Sequence, residues 1–111
     1  MPNNLIDTIF NNAGIQHRPV VYRKPPRSTY AVTFDDVSNE ESADLINNLR
    51  THDVRIELYE YSRDIAARKA LERALDGENV KWERSEAVWL STEQMYETDY
   101  TFTFYERIEA Q

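Results

Sequence analysis

Apolar positions along the chain follow two periods, and the switches between them divide it into elements. Leu5, Ile6, Ile9 and Phe10 fall on one helical face, which predicts a short helix over Asn4–Ala13. Asn3 or Asn4 is placed to cap it, and Gly14 to end it in the left-handed conformation. Pro19, Pro25 and Pro26 then exclude a helix, leaving Val20–Tyr22 room for a short edge strand. In "STYAVTFDD" the period becomes two, with Tyr30, Val32 and Phe34 on one side and Ala31, Thr33 and Asp35 on the other. "DVRIELYEYS" repeats it: Val54, Ile56 and Leu58 face one way, and Arg55, Glu57, Tyr59 and Tyr61 the other. Between these strands, residues 36–52 are polar and read as a long connection with weak local structure.

After residue 62 the helical period returns. Ala67, Ala70, Leu71, Ala74 and Leu75 share one stripe, with Ser62 or Asp64 as cap and Gly77 as stop. Two further strands follow, Val80–Leu90 and Tyr96–Ile108, joined by the short link "STEQM" as an antiparallel hairpin. The alternation slips between Trp82 and Trp89, which predicts a bulge. In "YETDYTFTFYERI", Tyr100, Phe102 and Phe104 form one face, and Glu97, Asp99, Thr101, Thr103, Tyr105 and Arg107 the other. The order α-(β)-β-β-α-β-β predicts a single α+β domain over 1–111. It is an antiparallel sheet of four to five strands, with the N-terminal helix and the central helix packed on one face. Tyr30, Phe34, Trp82, Tyr100, Phe102 and Phe104 are the expected aromatic core. Tyr59, Tyr61 and Tyr105 fall on the opposite faces.

Composition narrows the function. The 111 residues carry a formal charge of -7, whereas non-specific grip on nucleic acid depends on Lys and Arg that displace phosphate counterions. An anionic membrane would repel the same surface. With no cysteine, disulfide frameworks, thiolate zinc sites and thiol nucleophiles drop out. "MPNNLIDTIF" lacks the basic and apolar regions of a secretion signal. No apolar run approaches the roughly 20 residues of a membrane helix.

Candidate chemistry is sparse. His17 and His52 lack metal-pair spacing and read as ordinary loop histidines. Asp35, Asp36, Glu40 and Glu41 form the best metal candidate, but without the glycine turn of a calcium loop. A solvated acidic run is the simpler reading, and no cofactor or metal site is assigned. No serine lies in a Gly-x-Ser-x-Gly elbow. The two glycines, Gly14 and Gly77, leave no phosphate-cradling loop, so no catalytic residue is assigned. Tyrosine suits interfaces because it buries area at low entropic cost and keeps a polar tip. Tyr59, Tyr61, Thr101, Thr103, Tyr105 and Arg107 are therefore candidate protein–protein contacts, with cross-strand pairing on a solvated face as the plainer alternative.

Several strings resemble a known group. These are Ile56-Glu57-Leu58-Tyr59, Leu71–Asn79, Trp82-Glu83-Arg84-Ser85-Glu86, Met95–Phe104, and the lead from Lys24-Pro25-Pro26 to Phe34. Their pattern and order over most of 15–108 are similar to the tail-completion, or tail terminator and head-to-tail joining, proteins of long-tailed phages and prophages. Val37–Arg50 is longer and more polar than that pattern. The resemblance implies a non-enzymatic virion structural protein at the neck, the head-proximal end of the tail, with assembly in the host cytoplasm. It implies self-association into a ring, commonly a hexamer, and contact with the major tail protein and head connector proteins. It implies neither a membrane partner nor sequence-specific nucleic acid. The alternatives are another small phage neck or tail component, or a cellular α+β protein-interaction module.

Overall fold

The period-two segments form one six-stranded sheet, and the two helical segments pack against one side of it. The computed structural model describes residues 5–19, 24, 26–40, 48–63 and 65–108. In chain order the elements are α1 (Leu5–Ala13), β1 (Gln16–Pro19), β2 (Tyr30–Glu40), β3 (Asn48–Glu60), α2 (Ile65–Gly77), β4 (Trp82–Arg84), β5 (Val88–Leu90) and β6 (Met95–Ile108). The sheet order is β1-β2-β3-β6-β4, with β5 also on β6. All pairings are antiparallel except β1–β2, which is parallel. The α+β class stands, with six strands rather than four to five.

Register fixes the covered face. Leu58, Ile56 and Val54 of β3 lie opposite Thr98, Tyr100 and Phe102 of β6, and Ala31 and Thr33 of β2 lie opposite Leu58 and Ile56. Ile6, Ile9 and Phe10 of α1 and Leu71, Ala74 and Leu75 of α2 close over this surface in one cluster. The small residues of the α2 stripe let that helix sit close to its neighbours. Polar bonds tie α2 to the sheet as well. Tyr100 Oη and Arg84 Nη1 donate to Glu72 Oε2 at 2.8 and 2.7 Å, and Trp82 Nε1 donates to Asp76 Oδ1 at 2.8 Å.

One core expectation is reversed. Tyr30 and Phe34 belong to the other, helix-free face. There Tyr30, Val32 and Met95 form a second buried cluster, flanked by half-buried Phe34, Tyr59 and Leu90. Alternation shows which residues of β2 share a face, but the register with β3 decides which face the helices cover. Trp82 and Phe104 do pack on the helix side, half-buried.

The two helices end differently. Gly14 has φ 71°, and the N–H groups of Gly14 and Ile15 both reach Phe10 O, so it stops α1 as expected. Gly77 does not stop α2 that way. It is the last helical residue, and the left-handed residue is Asn79, at φ 58°. Asparagine tolerates that conformation because its short polar side chain bonds locally. The expected capping residues Asn3, Asn4 and Asp64 and the expected strand Val20–Tyr22 lie outside the described residues; the parallel edge strand β1 comes just before that stretch.

The connection expected over 36–52 is narrower in the structure. β2 runs to Glu40 and β3 begins at Asn48, paired in register from Tyr30↔Tyr59 to Glu40↔Leu49. Ladder hydrogen bonds outweigh the polar composition of these flanks; residues 41–47 lie outside the described set. The expected bulge is present. Ser85–Ala87 are three residues facing two, Thr98 and Asp99, between the β4 and β5 registers. Ser85 N–H donates to Asp99 O at 2.9 Å, and Asp99 N–H donates to Ser85 Oγ at 3.0 Å.

The molecule measures 52 × 27 × 26 Å. Its long axis is set by β6, whose 14 residues extend roughly 45 Å at the usual rise per residue. β2, β3 and β6 run on past Val54, Phe102 and Phe104 as a three-stranded arm. β1 leaves β2 at Thr33 and β4 leaves β6 at Phe102. Among the described residues, the outer edges of Phe34–Glu40 and Thr103–Ile108 therefore have no strand beside them.

Candidate protein–protein interface

The helix-free face changes character along its length. At the end near Tyr30 it is apolar and buried; further along, acidic and hydroxyl side chains succeed one another; on the arm it is exposed. Tyr59 stands at the first boundary. Its ring stacks on Tyr30 with centroids 5.1 Å apart, and its hydroxyl donates to Glu57 Oε1 at 2.7 Å. Burial, then the bond to Glu57, raises the Tyr59 pKa above the ordinary tyrosine range. Tyr59 is thus half-buried and engaged, a packing residue more than a free contact.

Thr101, Thr103, Tyr105 and Arg107 follow along β6 on the same face, all exposed. Thr103 Oγ1 donates to Asp53 Oδ1 across the β3–β6 ladder at 2.7 Å. Tyr105 is 66% exposed, the largest value among the exposed large hydrophobics of the described chain. Tyr61 is set apart from the other five candidates. It lies just beyond β3, and its hydroxyl donates to Pro26 O at 2.9 Å, tying that loop down. Arg55 lies beside Thr101, with its guanidinium 4.3 Å from the Phe34 ring centroid and 3.3 Å from Glu57 Oε2. Such a cation over an aromatic face gains electrostatically from the ring quadrupole.

Between the apolar end and the arm sit Glu57, Glu97 and Asp99, whose carboxylate oxygens can lie within 4.8 Å of one another. Burial first, then a hydrogen bond and repulsion from Asp99 and repulsion from Glu57, push Glu97 up to about 7, with Arg55 acting against the rise. The cluster holds a proton near neutral pH, and its oxygens are of the type a hard cation takes. It arises from cross-strand register, Glu57 opposite Asp99 and Tyr59 opposite Glu97. Alternation along β3 and β6 carries the signal, but only pairing reveals the meeting. Of the acidic run weighed as a metal candidate, Asp35 and Asp36 are consecutive strand residues on opposite faces, and the Glu40 side chain and Glu41 lie outside what the structure describes.

Both histidines are strand residues rather than loop residues. His17 of β1 stacks on Phe10 at 4.4 Å, and its Nε2 lies 3.0 Å from Asp7 Oδ1, pinning the edge strand to α1. His52 of β3 is buried on the helix side of the arm. Its Nδ1 lies 2.9 Å from Asp35 Oδ2, its Nε2 lies 3.1 Å from Glu106 Oε1, and its ring stacks on Phe104 at 4.2 Å. Burial lowers its pKa, but the bonds to Asp35 and Glu106 outweigh that and raise it. Glu106 is lowered in turn, first by His52, and it also accepts from Arg50 at 3.4 Å. The imidazolium form donates from both nitrogens, so one side chain fastens β2, β3 and β6 together. The sequence signal was present. Extending the alternation of Val54, Ile56 and Leu58 back by two puts His52 on the covered face.

No protein-family model matches the sequence, and no curated protein matches it. Among solved structures, the chain is similar to one from the virion of a native gene transfer agent (GTA) particle, with a TM-score of 0.57. The two are 18% identical, and the likeness covers 92% of this chain and 84% of the other. At that identity the likeness is one of fold, and it extends over nearly the whole of both chains.

Proposed function

We propose that this chain is a virion structural protein, a tail-completion or terminator component that caps the tail tube and joins tail to head by assembling into a ring. The observation that carries the reading is the fold likeness, over 92% of the chain, to a chain of a virion particle. The string resemblance to tail-completion proteins points the same way. In this reading no residue has a catalytic role and no cofactor is needed.

The arm supplies the contacts. Its two edges, on β2 and on β6, differ from one another, and contact between unlike surfaces of successive copies closes into a ring when the rotation permits. Thr101, Thr103, Tyr105 and Arg107 lie beside the β6 edge, and in this reading they meet the neighbouring copy or the tail tube. Tyr59 packs further along the same face, and Tyr61 holds the loop at Pro26. A net charge of -7 per copy would keep DNA from adhering as it passes through a ring.

Removal of the gene from its parent phage, prophage or particle cluster tests the proposal. Electron microscopy should then show full heads separate from tails, with tails of unregulated length. Normal joined particles would rule the proposal out.

A further inference from the structure

A second site lies on the helix side, away from the arm. A cavity of about 370 Å³ opens between the start of α2, the Ser85–Ala87 bulge and β6, lined by Arg63, Arg68, Arg84, Ser85, Glu86 and Thr98, with Ala87. Three of the chain's 13 basic residues meet here, in a protein whose formal charge is -7. Of the lining residues Thr98 is 1% exposed, and among the described residues its hydroxyl has no hydrogen-bond partner. A buried hydroxyl without a partner is costly, and few survive in native structures without a reason. Arg68 Nε is in a similar position: it is buried, lies 3.6 Å from Glu60 Oε1, and among the described residues makes no hydrogen bond.

The arginines retain binding capacity. A guanidinium has five N–H donors in a planar fork. Arg84 uses Nη1 on Glu72, and Arg68 leans on Glu60. Arg63 lies 5.6 Å over the Tyr96 ring and, among the described residues, has no carboxylate partner. We propose that this cavity binds a carboxylate presented by an acidic protein segment, held by Arg63, Arg68 and Arg84 above the Thr98 hydroxyl. Arg forks match carboxylate geometry with paired, charge-assisted bonds. The surroundings favour a protein carboxylate over a nucleic-acid strand. Glu86 on the rim, Glu72 on Arg84 and Glu60 beside Arg68 leave no continuous positive track for a phosphate backbone, whereas one carboxylate needs only the remaining guanidinium donors, chiefly those of Arg63. This site does not depend on the virion reading.

Fluorescence anisotropy of a labelled glycine–serine peptide with a central run of glutamates, titrated with the full chain, tests the site. Saturable binding is expected, with competition by inorganic phosphate as a compact oxyanion. Arg63→Gln, at an exposed position, should weaken binding about tenfold, the effect of losing one charge-assisted bond. Thr98→Val should weaken it too, and circular dichroism should show both variants folded. Backbone amide shifts on peptide addition should centre on Ser85–Ala87 and Thr98. The inference is overturned by absence of saturable binding, or by unchanged affinity in Arg63→Gln. Equal binding of the glutamine counterpart, or tighter binding of a single-stranded DNA oligonucleotide than of the acidic peptide, would also overturn it.

Discussion

His52 shows how one residue can hold an element. Its folded pKa is raised above 6.5, so its contribution is fully present below that value and is lost as pH rises through the folded pKa. Glu106 has the opposite sign. Lowered from 4.5, it contributes above that value and loses its contribution as pH falls through the folded pKa. The clasp is therefore strongest between these ordinary values and weakens toward alkaline pH. Glu97, raised to about 7, adds to the alkaline loss. Denaturant titrations should show stability falling as pH rises from about 6 to about 8. His52→Gln should remove part of that slope, on the order of 1 kcal/mol for a partly exposed pair, and Glu97→Gln a separate part. An unchanged slope in both variants would contradict the assignment. Phe102 tests the core instead. It is 4% exposed, and Phe102→Ala should cost roughly 3–5 kcal/mol in the same titration.

Elements were legible in proportion to the strength of their period. Alternation in β3 and β6 and the stripe of α2 gave both the elements and their buried residues. β1 gave no such signal, because "QHRP" has no apolar alternation and is placed by pairing with β2. β2 reads as a strand with Tyr30, Val32 and Phe34 as its apolar face, yet both faces are buried, and only the register with β3 puts Ala31 and Thr33 under the helices. The β6 side of the arm is legible to Ile108, but the β2 and β3 sides are not, because polar strands owe their form to ladder bonds rather than to burial. The two glycines make a paired test at element scale. Gly14→Ala places a Cβ at φ 71° and should cost on the order of 1 kcal/mol. Gly77 has no positive φ, and a Cβ there meets nothing within 4 Å. Gly77→Ala should therefore stabilise α2 by roughly 0.4–1 kcal/mol. Thermal melts of both variants give the two signs directly.

At the scale of the molecule, the proposed function puts folding and assembly in different parts. The helix-covered half holds the main core, and the arm carries exposed side chains and, among the described residues, edges with no strand beside them. Tyr105 is 66% exposed and belongs to neither buried cluster. Tyr105→Ala should leave the melting temperature nearly unchanged and weaken assembly on tails in a reconstitution assay. A loss of stability comparable to that of Phe102→Ala would place Tyr105 in the fold instead. The candidate contact surface could be read from sequence only as the face opposite the core. The structure divides it into packing residues, an acidic middle and an arm with exposed side chains, because those depend on register and on where the described strands end. The central claim, ring assembly at the head-proximal end of a tail, meets its most direct test in cryo-electron microscopy of the parent particle. The account predicts a closed ring of this chain between tail tube and head connector, with successive copies in contact through the arm. Particles that lack the chain, or that carry it outside the neck, would contradict it.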